Sequence, residues 1–188
     1  MTSEKLDRRK KYTRMVLKDS LLKLLKQKTF SSITVKEICE LADINRSTFY
    51  AHYQDPFQLL ETIEDEIIAD MRKYLHTYNL QEKEDALRMT EKLIQYFSAK
   101  HEELQILLNK SGELSFERKV RHVAEQFMMN KMTSEEKNTH LPEYVSKFII
   151  SGSIEVLKIW LSEGRSESPK EMAELINNLI NHGIYGQA

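Results

Sequence analysis

Residues 34–53 read TVKEICELADINRSTFYAHY. Thr34 followed three residues later by Glu37 forms a capping box: the hydroxyl accepts from the backbone at Glu37, and the Glu37 side chain reaches back. This predicts a short helix with Val35, Ile38, Leu41 and Ala42 facing inward. Asp43-Ile44 reads as a tight turn, because Asp tolerates left-handed backbone geometry better than most residues. Asn45 is the candidate N-cap of a second short helix, Arg46 to Tyr53. Two short helices joined by a tight turn make a helix-turn-helix, whose second helix can lie in the major groove of DNA.

The residue types divide the work. Ile38, Leu41, Ile44 and Phe49 are the apolar ties, and Phe49 and Tyr53 read as packing residues. Asn45, Arg46, Ser47, Thr48, Tyr50 and His52 are polar and gather at the second helix. Phosphates need donors, which Thr34, Lys36, Thr48, Tyr50 and His52 offer. Arg46 can donate bidentately to guanine, Asn45 can pair with adenine, and Ala51 can touch a thymine methyl. Upstream, Arg8-Arg9-Lys10-Lys11 adds non-specific attraction for phosphate.

Working outward, residues 8–28 carry Tyr12, Met15, Val16, Leu22 and Leu25 at helical spacing, and Phe30-Ser31-Ser32 breaks the pattern. Asp55-Pro56 places a capping residue before a proline at the first helical position. The helix it starts runs to about Tyr74, with Phe57, Leu60, Ile63, Ile67, Met71 and Tyr74 inward. After a polar stretch at 77–85, helices are expected at about 86–99, 101–109, 114–131, 142–163 and 169–183. Ser111-Gly112 separates two of them, and Ser168-Pro169-Lys170-Glu171 is a second capping box. The expected fold is all-α, about nine helices. A three-helix head occupies residues 1–54, and a helical bundle that opens with the connecting helix occupies 55–188.

Residues 144–161 are apolar on more than one side. Val145, Phe148, Ile149, Val156 and Ile159 lie on one face, and Ile150, Ile154, Leu157 and Leu161 on another. A helix apolar on most sides must be covered on most sides, and a second subunit is a natural cover. Ile150, Ile154, Leu157 and Leu161, with Leu175 and Leu179 of the last helix, are the expected dimer interface. Tyr96, Phe97, Phe127, Phe148 and Trp160 would line a pocket between the helices, or equally fill a closed core.

Composition bounds the rest. The chain has 188 residues, 40% of them hydrophobic and 30% charged, with five Gly and three Pro, too few turn-formers for a protein of many short strands. Residues 1–60 hold twelve basic against seven acidic residues, a net of +5, although the whole chain carries −1. A basic head on an acidic body suits a polyanion that meets only the head. One cysteine excludes an internal disulfide. Cys39, beside Ile38, reads as a small core residue. No two histidines have the i, i+4 spacing of a helical metal site, and no catalytic motif is present. Neither metal nor cofactor is expected. The charged N-terminus lacks the apolar core of a signal peptide, and Phe148–Leu161 is too short and polar for a membrane span. A cytoplasmic protein is expected.

The run ITVKEICELADINRSTFYAHYQDPFQLLETI resembles the DNA-binding head of the TetR family of bacterial transcriptional regulators, over roughly residues 8–65. The tail, FIISGSIEVLKIWLSEGRSESPKEMAELI, is similar to the C-terminal domain of many Firmicutes members. The resemblance implies an Ω-like homodimer whose last two helices form a four-helix interface, and a C-terminal pocket whose small-molecule effector sets the spacing of the heads on a double-stranded operator. It places phosphate contacts on Tyr50 and His52, the second-helix threonine on Thr34, and base reading on Asn45 and Arg46. Two positions depart from the family: Asp43 stands where the turn usually has glycine, and Pro56 where a lysine often contacts phosphate. The function implied is a ligand-responsive repressor. The alternative is a co-activator or adaptor that acts through a protein partner.

Overall fold

In the computed structural model the described residues are 3–77, 83–109, 116–131, 141–164 and 166–182. Among them are nine α-helices and no strand: α1 (Ser3–Gln27), α2 (Val35–Ala42), α3 (Arg46–Tyr50), α4 (Pro56–Thr77), α5 (Lys83–Ala99), α6 (His101–Asn109), α7 (Phe116–Lys131), α8 (Leu141–Ser162) and α9 (Pro169–His182). The all-helical expectation holds, and the helix-starting chemistry explains where several elements begin. The expected break at Ser111-Gly112 and most of the polar stretch, residues 78–82, lie outside the described residues. No described helix is long and apolar enough to cross a membrane.

The chain divides into two compact units, Met1–Ile67 and Ile68–Ala188, the division falling within α4. In the first unit α1 packs on α2, and α2 on α3. Leu17, Leu21, Leu25, Ile38, Phe49 and Leu59 are fully enclosed or nearly so, each contributing about 1.5–3 kcal/mol by burial. The face of α1 is the expected one only in part: Leu22 and Leu25 are buried as read. Tyr12 and Met15 are at least half exposed, and Leu17, Leu21 and Leu25 make the buried ridge, with Thr13 and Ser20 beside them. On α4, Phe57 stays largely exposed and meets buried Phe30 edge-on, ring centroids 4.7 Å apart. Lys18 of α1 bonds to Glu66 of α4.

In the second unit α9 packs on α5, and α8 lies against α6 and α7. The Ser168 capping box forms as read: Glu171 N–H donates to Ser168 Oγ at 3.3 Å, and Ser168 N–H donates to Glu171 Oε2 at 2.8 Å. It fixes the start of α9, whose Met172, Ala173 and Ile176 are buried. Arg121 and Lys158 link α7 to α8, through Ser151 (2.7 Å) and Glu117 (3.5 Å) respectively.

Candidate nucleic-acid interface

The N-terminus of α2 is held by a chain of bonds. Thr34 Oγ1 donates to Glu37 Oε2 at 2.8 Å, and Glu37 N–H donates back to Thr34 Oγ1 at 3.3 Å. Lys28, just past the end of α1, donates to Glu37 Oε1 at 2.6 Å and to the Ser32 carbonyl at 2.9 Å. The Lys28 ammonium, and then Thr34, hold the Glu37 carboxyl down at about 2. One consequence bears on Thr34 itself. A carboxylate only accepts, so the Thr34 hydroxyl hydrogen is committed to Glu37. In this arrangement Thr34 presents no side-chain donor to a phosphate. The Val35 and Lys36 N–H groups at the start of α2, which have no intrahelical acceptor, remain for that purpose.

The turn closes on Asp43, whose φ of 53° and ψ of 45° are left-handed; among the described residues no other non-glycine has positive φ. Its N–H bonds back to the Glu40 carbonyl at 3.4 Å, and the Ile44 N–H to that of Cys39 at 3.0 Å. Asp therefore performs the turn that glycine usually makes. Asn45 occupies the N-cap position of α3, but through its backbone: its carbonyl accepts from Thr48 and Phe49 at 2.9 and 3.0 Å, while its side chain makes no capping bond. The expected side-chain cap is absent, and the Asn45 amide is left facing outward.

On α3, Phe49 is fully buried while Asn45, Arg46, Ser47 and Tyr50 are exposed and Thr48 is half-buried. The buried ring anchors the helix and turns its polar residues to solvent. Tyr50 meets Phe49 edge-on at 5.6 Å, which orients the phenol without hiding it. Tyr53 is buried, as a packing residue should be. Of the apolar ties, Ile38 and Phe49 are enclosed, Ile44 is half-buried and Leu41 is 48% exposed. Leu41 is thus not a tie. Arg46 and Asn45 share a concavity of about 390 Å³ with Lys36, Glu40 and Asp43, where Cys39 and Ile44 supply the apolar lining. Burial raises the Cys39 thiol above its ordinary value, as for a core residue.

His52 is half-buried just beyond α3. Burial first, then the charges of Arg14 and Lys10, depress its pKa below the usual 6.5. The basic face of α1 therefore lies beside His52 and extends one turn further than Arg8–Lys11. Arg14 is the residue that the sequence reading missed. Its position three residues past the basic run, on the same helical face as Lys10, is the signal that pointed to it.

In the second unit the five candidate pocket residues differ in exposure, and the Tyr96 and Phe97 rings stand 6.0 Å apart. Phe97 and Trp160 are buried, Tyr96 and Phe127 are half-buried, and Phe148 is 81% exposed. Among the described residues Phe148 lies on the exposed side of α8. Trp160 donates its Nε1–H to the Glu167 carbonyl at 3.0 Å, which satisfies the indole within the connection to α9. Tyr96 Oη donates to Asp70 Oδ2 at 3.3 Å, and its ring stands 5.4 Å from that of Tyr74. Burial, with Asp70 beside it, raises the Tyr96 phenol well above its ordinary value. The face of α8 expected to meet a second subunit is instead largely internal. Ile150, Ile154 and Leu161 are buried within the chain and Leu157 is half-buried, whereas Leu175 and Leu179 of α9 remain exposed. The uncovered stripe of α8 is Val145, Phe148 and Ile159. Packing against α6 and α7 took the other face.

A buried anchor beneath an exposed, polar second helix, entered through a tight turn, defines a helix-turn-helix regulator of transcription. Residues 84–182, just over half of the chain, match a family model, TetR_C_8, described as a transcriptional regulator C-terminal region. The chain belongs to the TetR family of transcriptional regulators, which are DNA-binding regulators and not enzymes. An uncharacterized HTH-type transcriptional regulator of Bacillus subtilis, YxbF, is 39% identical over 59 residues, 31% of this chain and 14% of that protein. The chain thus spans only a small part of that relative. A TetR transcriptional regulator from Streptococcus agalactiae superposes with a TM-score of 0.67 at 19% identity, covering 95% of this chain and 99% of that one. A putative TetR-family regulator from Syntrophomonas wolfei gives 0.70 at 16%, covering 90% and 93%. At these identities the two structures speak for the fold.

Proposed function

We propose that the protein is a ligand-responsive repressor that binds a palindromic operator as a homodimer. The observation that carries the DNA-binding part is the exposure of Asn45, Arg46, Ser47 and Tyr50 on a helix anchored by buried Phe49. Arg46 and Asn45 read base edges, with Ser47 beside them. Tyr50, Thr48 and His52, with Lys10 and Arg14 of α1, hold phosphates.

The homodimer is supported by the uncovered apolar stripes of α8 and α9. Val145, Phe148 and Ile159 on α8, and Leu175, Leu179 and Ile180 on α9, are all more than a third exposed. Gly152 adds to this. It sits within α8, where glycine costs about 1 kcal/mol relative to alanine, and a Cβ there would meet nothing within 4 Å. Among the described residues no contact calls for a glycine at that point, whereas a helix of a second copy crossing close by does. A two-fold dimer demands a two-fold operator, with half-sites one helical turn apart or a multiple of it.

The effector acts by linkage: it binds the state of the dimer that does not fit DNA better than the state that does, by about 1–3 kcal/mol for a useful switch. The half-buried Tyr96–Asp70 pair, with the Tyr74 ring beside it, is the polar handle for such a molecule in the second unit. The experiment is a gel shift with Arg46→Ala and Tyr50→Phe. Both variants keep the helical circular dichroism of the wild type and bind operator at least tenfold more weakly; unchanged affinity in both refutes the assignment of α3.

A further inference from the structure

The face of the head that carries Arg46 is not uniformly basic. Glu40 stands one turn after Lys36 on α2, and both line the concavity that holds Asn45 and Arg46. Glu40 Oε1 lies 3.7 Å from Lys36 Nζ, and each side chain is 64% exposed. An exposed i, i+4 pair of this kind adds little to stability. The caps of α2 use Thr34 and Glu37 at its start and only the Glu40 backbone carbonyl at its end, so the Glu40 side chain has no part in them. A carboxylate on a surface that meets phosphates weakens binding by like-charge repulsion. Its presence there calls for a group that needs an acceptor. In the major groove such a group is a base amine: cytosine offers N4 as a donor, immediately beside the O6 and N7 acceptors of its paired guanine. Lys36 and Glu40 offer the complement, a donor and an acceptor side by side.

Resting on the reading that this face of the head enters the major groove, we infer that Lys36 and Glu40 form a second base-reading element, on α2, that selects one G·C pair in each half-site. The Lys36 ammonium donates to guanine, and the Glu40 carboxylate accepts from cytosine N4. Glu40 is a determinant of specificity rather than of affinity, since its repulsion of the phosphates does not depend on the base sequence.

The test is affinity selection from a pool of DNA duplexes with a random core, using the full chain as wild type and as Glu40→Ala. The wild type enriches a two-fold motif with a G·C pair at one symmetric position. Glu40→Ala keeps the rest of the motif, loses about tenfold discrimination at that position, and binds an unrelated duplex more tightly than the wild type does. Glu40→Gln, which keeps the shape but not the charge, shifts the preference there toward A·T, because glutamine pairs with adenine. The inference is overturned if Glu40→Ala returns the wild-type motif at every position, or if all positions weaken together as a structural defect would cause. A wild type that enriches no motif overturns the underlying reading as well.

Discussion

Lys28 Nζ reaches Glu37 Oε1 at 2.6 Å, closing the end of α1 onto the first turn of α2. The same carboxylate holds Thr34, so one ion pair and one capping box together set the entry of the helix-turn-helix. The bond is partly exposed, and its effect shows best through pH. The Glu37 carboxyl is depressed from 4.5 to about 2 in the folded chain. Its contribution to stability is therefore full above about pH 4.5 and is lost as pH falls toward 2. Lys28→Met removes the main cause of the depression. The variant is expected to melt below the wild type at pH 7, with the gap narrowing as pH falls from 4.5 toward 2. A gap that stays constant across that window means that Lys28 stabilises by packing and not through Glu37.

Asp43 sits at φ 53°, a conformation that a residue with a Cβ adopts at some cost. Asp43→Gly is expected to stabilise the head by about 0.5–1 kcal/mol in denaturant unfolding, the Cβ penalty being partly offset by the greater freedom of glycine in the unfolded chain. Asp43→Val, β-branched and unable to bond locally, is expected to cost about 1–2 kcal/mol. Equal stability of the three proteins rules out a left-handed turn at this position.

Phe148 is 81% exposed and Ile150, two residues along, is 4% exposed. The two test the dimer face separately. Burying a phenylalanine side chain contributes about 1.5–3 kcal/mol, so Phe148→Glu is expected to weaken dimerisation by about tenfold or more while leaving the helical content intact. Ile150→Glu places a charge in the subunit core and is expected to unfold the second unit. Sedimentation and circular dichroism distinguish the outcomes. A dimer that survives Phe148→Glu unweakened moves the interface elsewhere.

The split between these residues marks where sequence reading stops. The helix-turn-helix was legible because its signals are local: Thr34 and Glu37 need only each other, and Asp55-Pro56 starts α4 within one turn. The faces of α8 were not, because Val145, Phe148 and Ile159 are as apolar as Ile150, Ile154 and Leu161. Which stripe is covered depends on where α6 and α7 arrive, and the spacing within α8 carries no record of that. Tyr12 and Met15 on α1 mislead for the same reason. The Asn45 amide differs in kind: the residue is a good N-cap type, yet the backbone alone closes the first turn of α3 and leaves the side chain outward.

His52 titrates below the usual 6.5, chiefly through burial and then through Arg14 and Lys10. A bound phosphate favours the charged imidazolium, so complex formation takes up protons between the depressed free value and the higher bound one. Operator affinity is expected to rise as pH falls through that interval, by at most about tenfold per pH unit for each protomer. His52→Gln flattens the profile at fixed salt. Identical profiles for wild type and variant remove His52 from the phosphate contacts.

The central claim is that Arg46–Tyr50 of this chain reads DNA sequence. It is tested most directly by titrating the purified wild type onto the duplex flanking its own gene, at fixed salt and with excess unrelated DNA, because affinity without a stated salt concentration means little. A discrete shifted band that survives the competitor and is lost in Arg46→Ala is expected. A weak, salt-sensitive smear that the competitor removes, and that Arg46→Ala leaves unchanged, would contradict it.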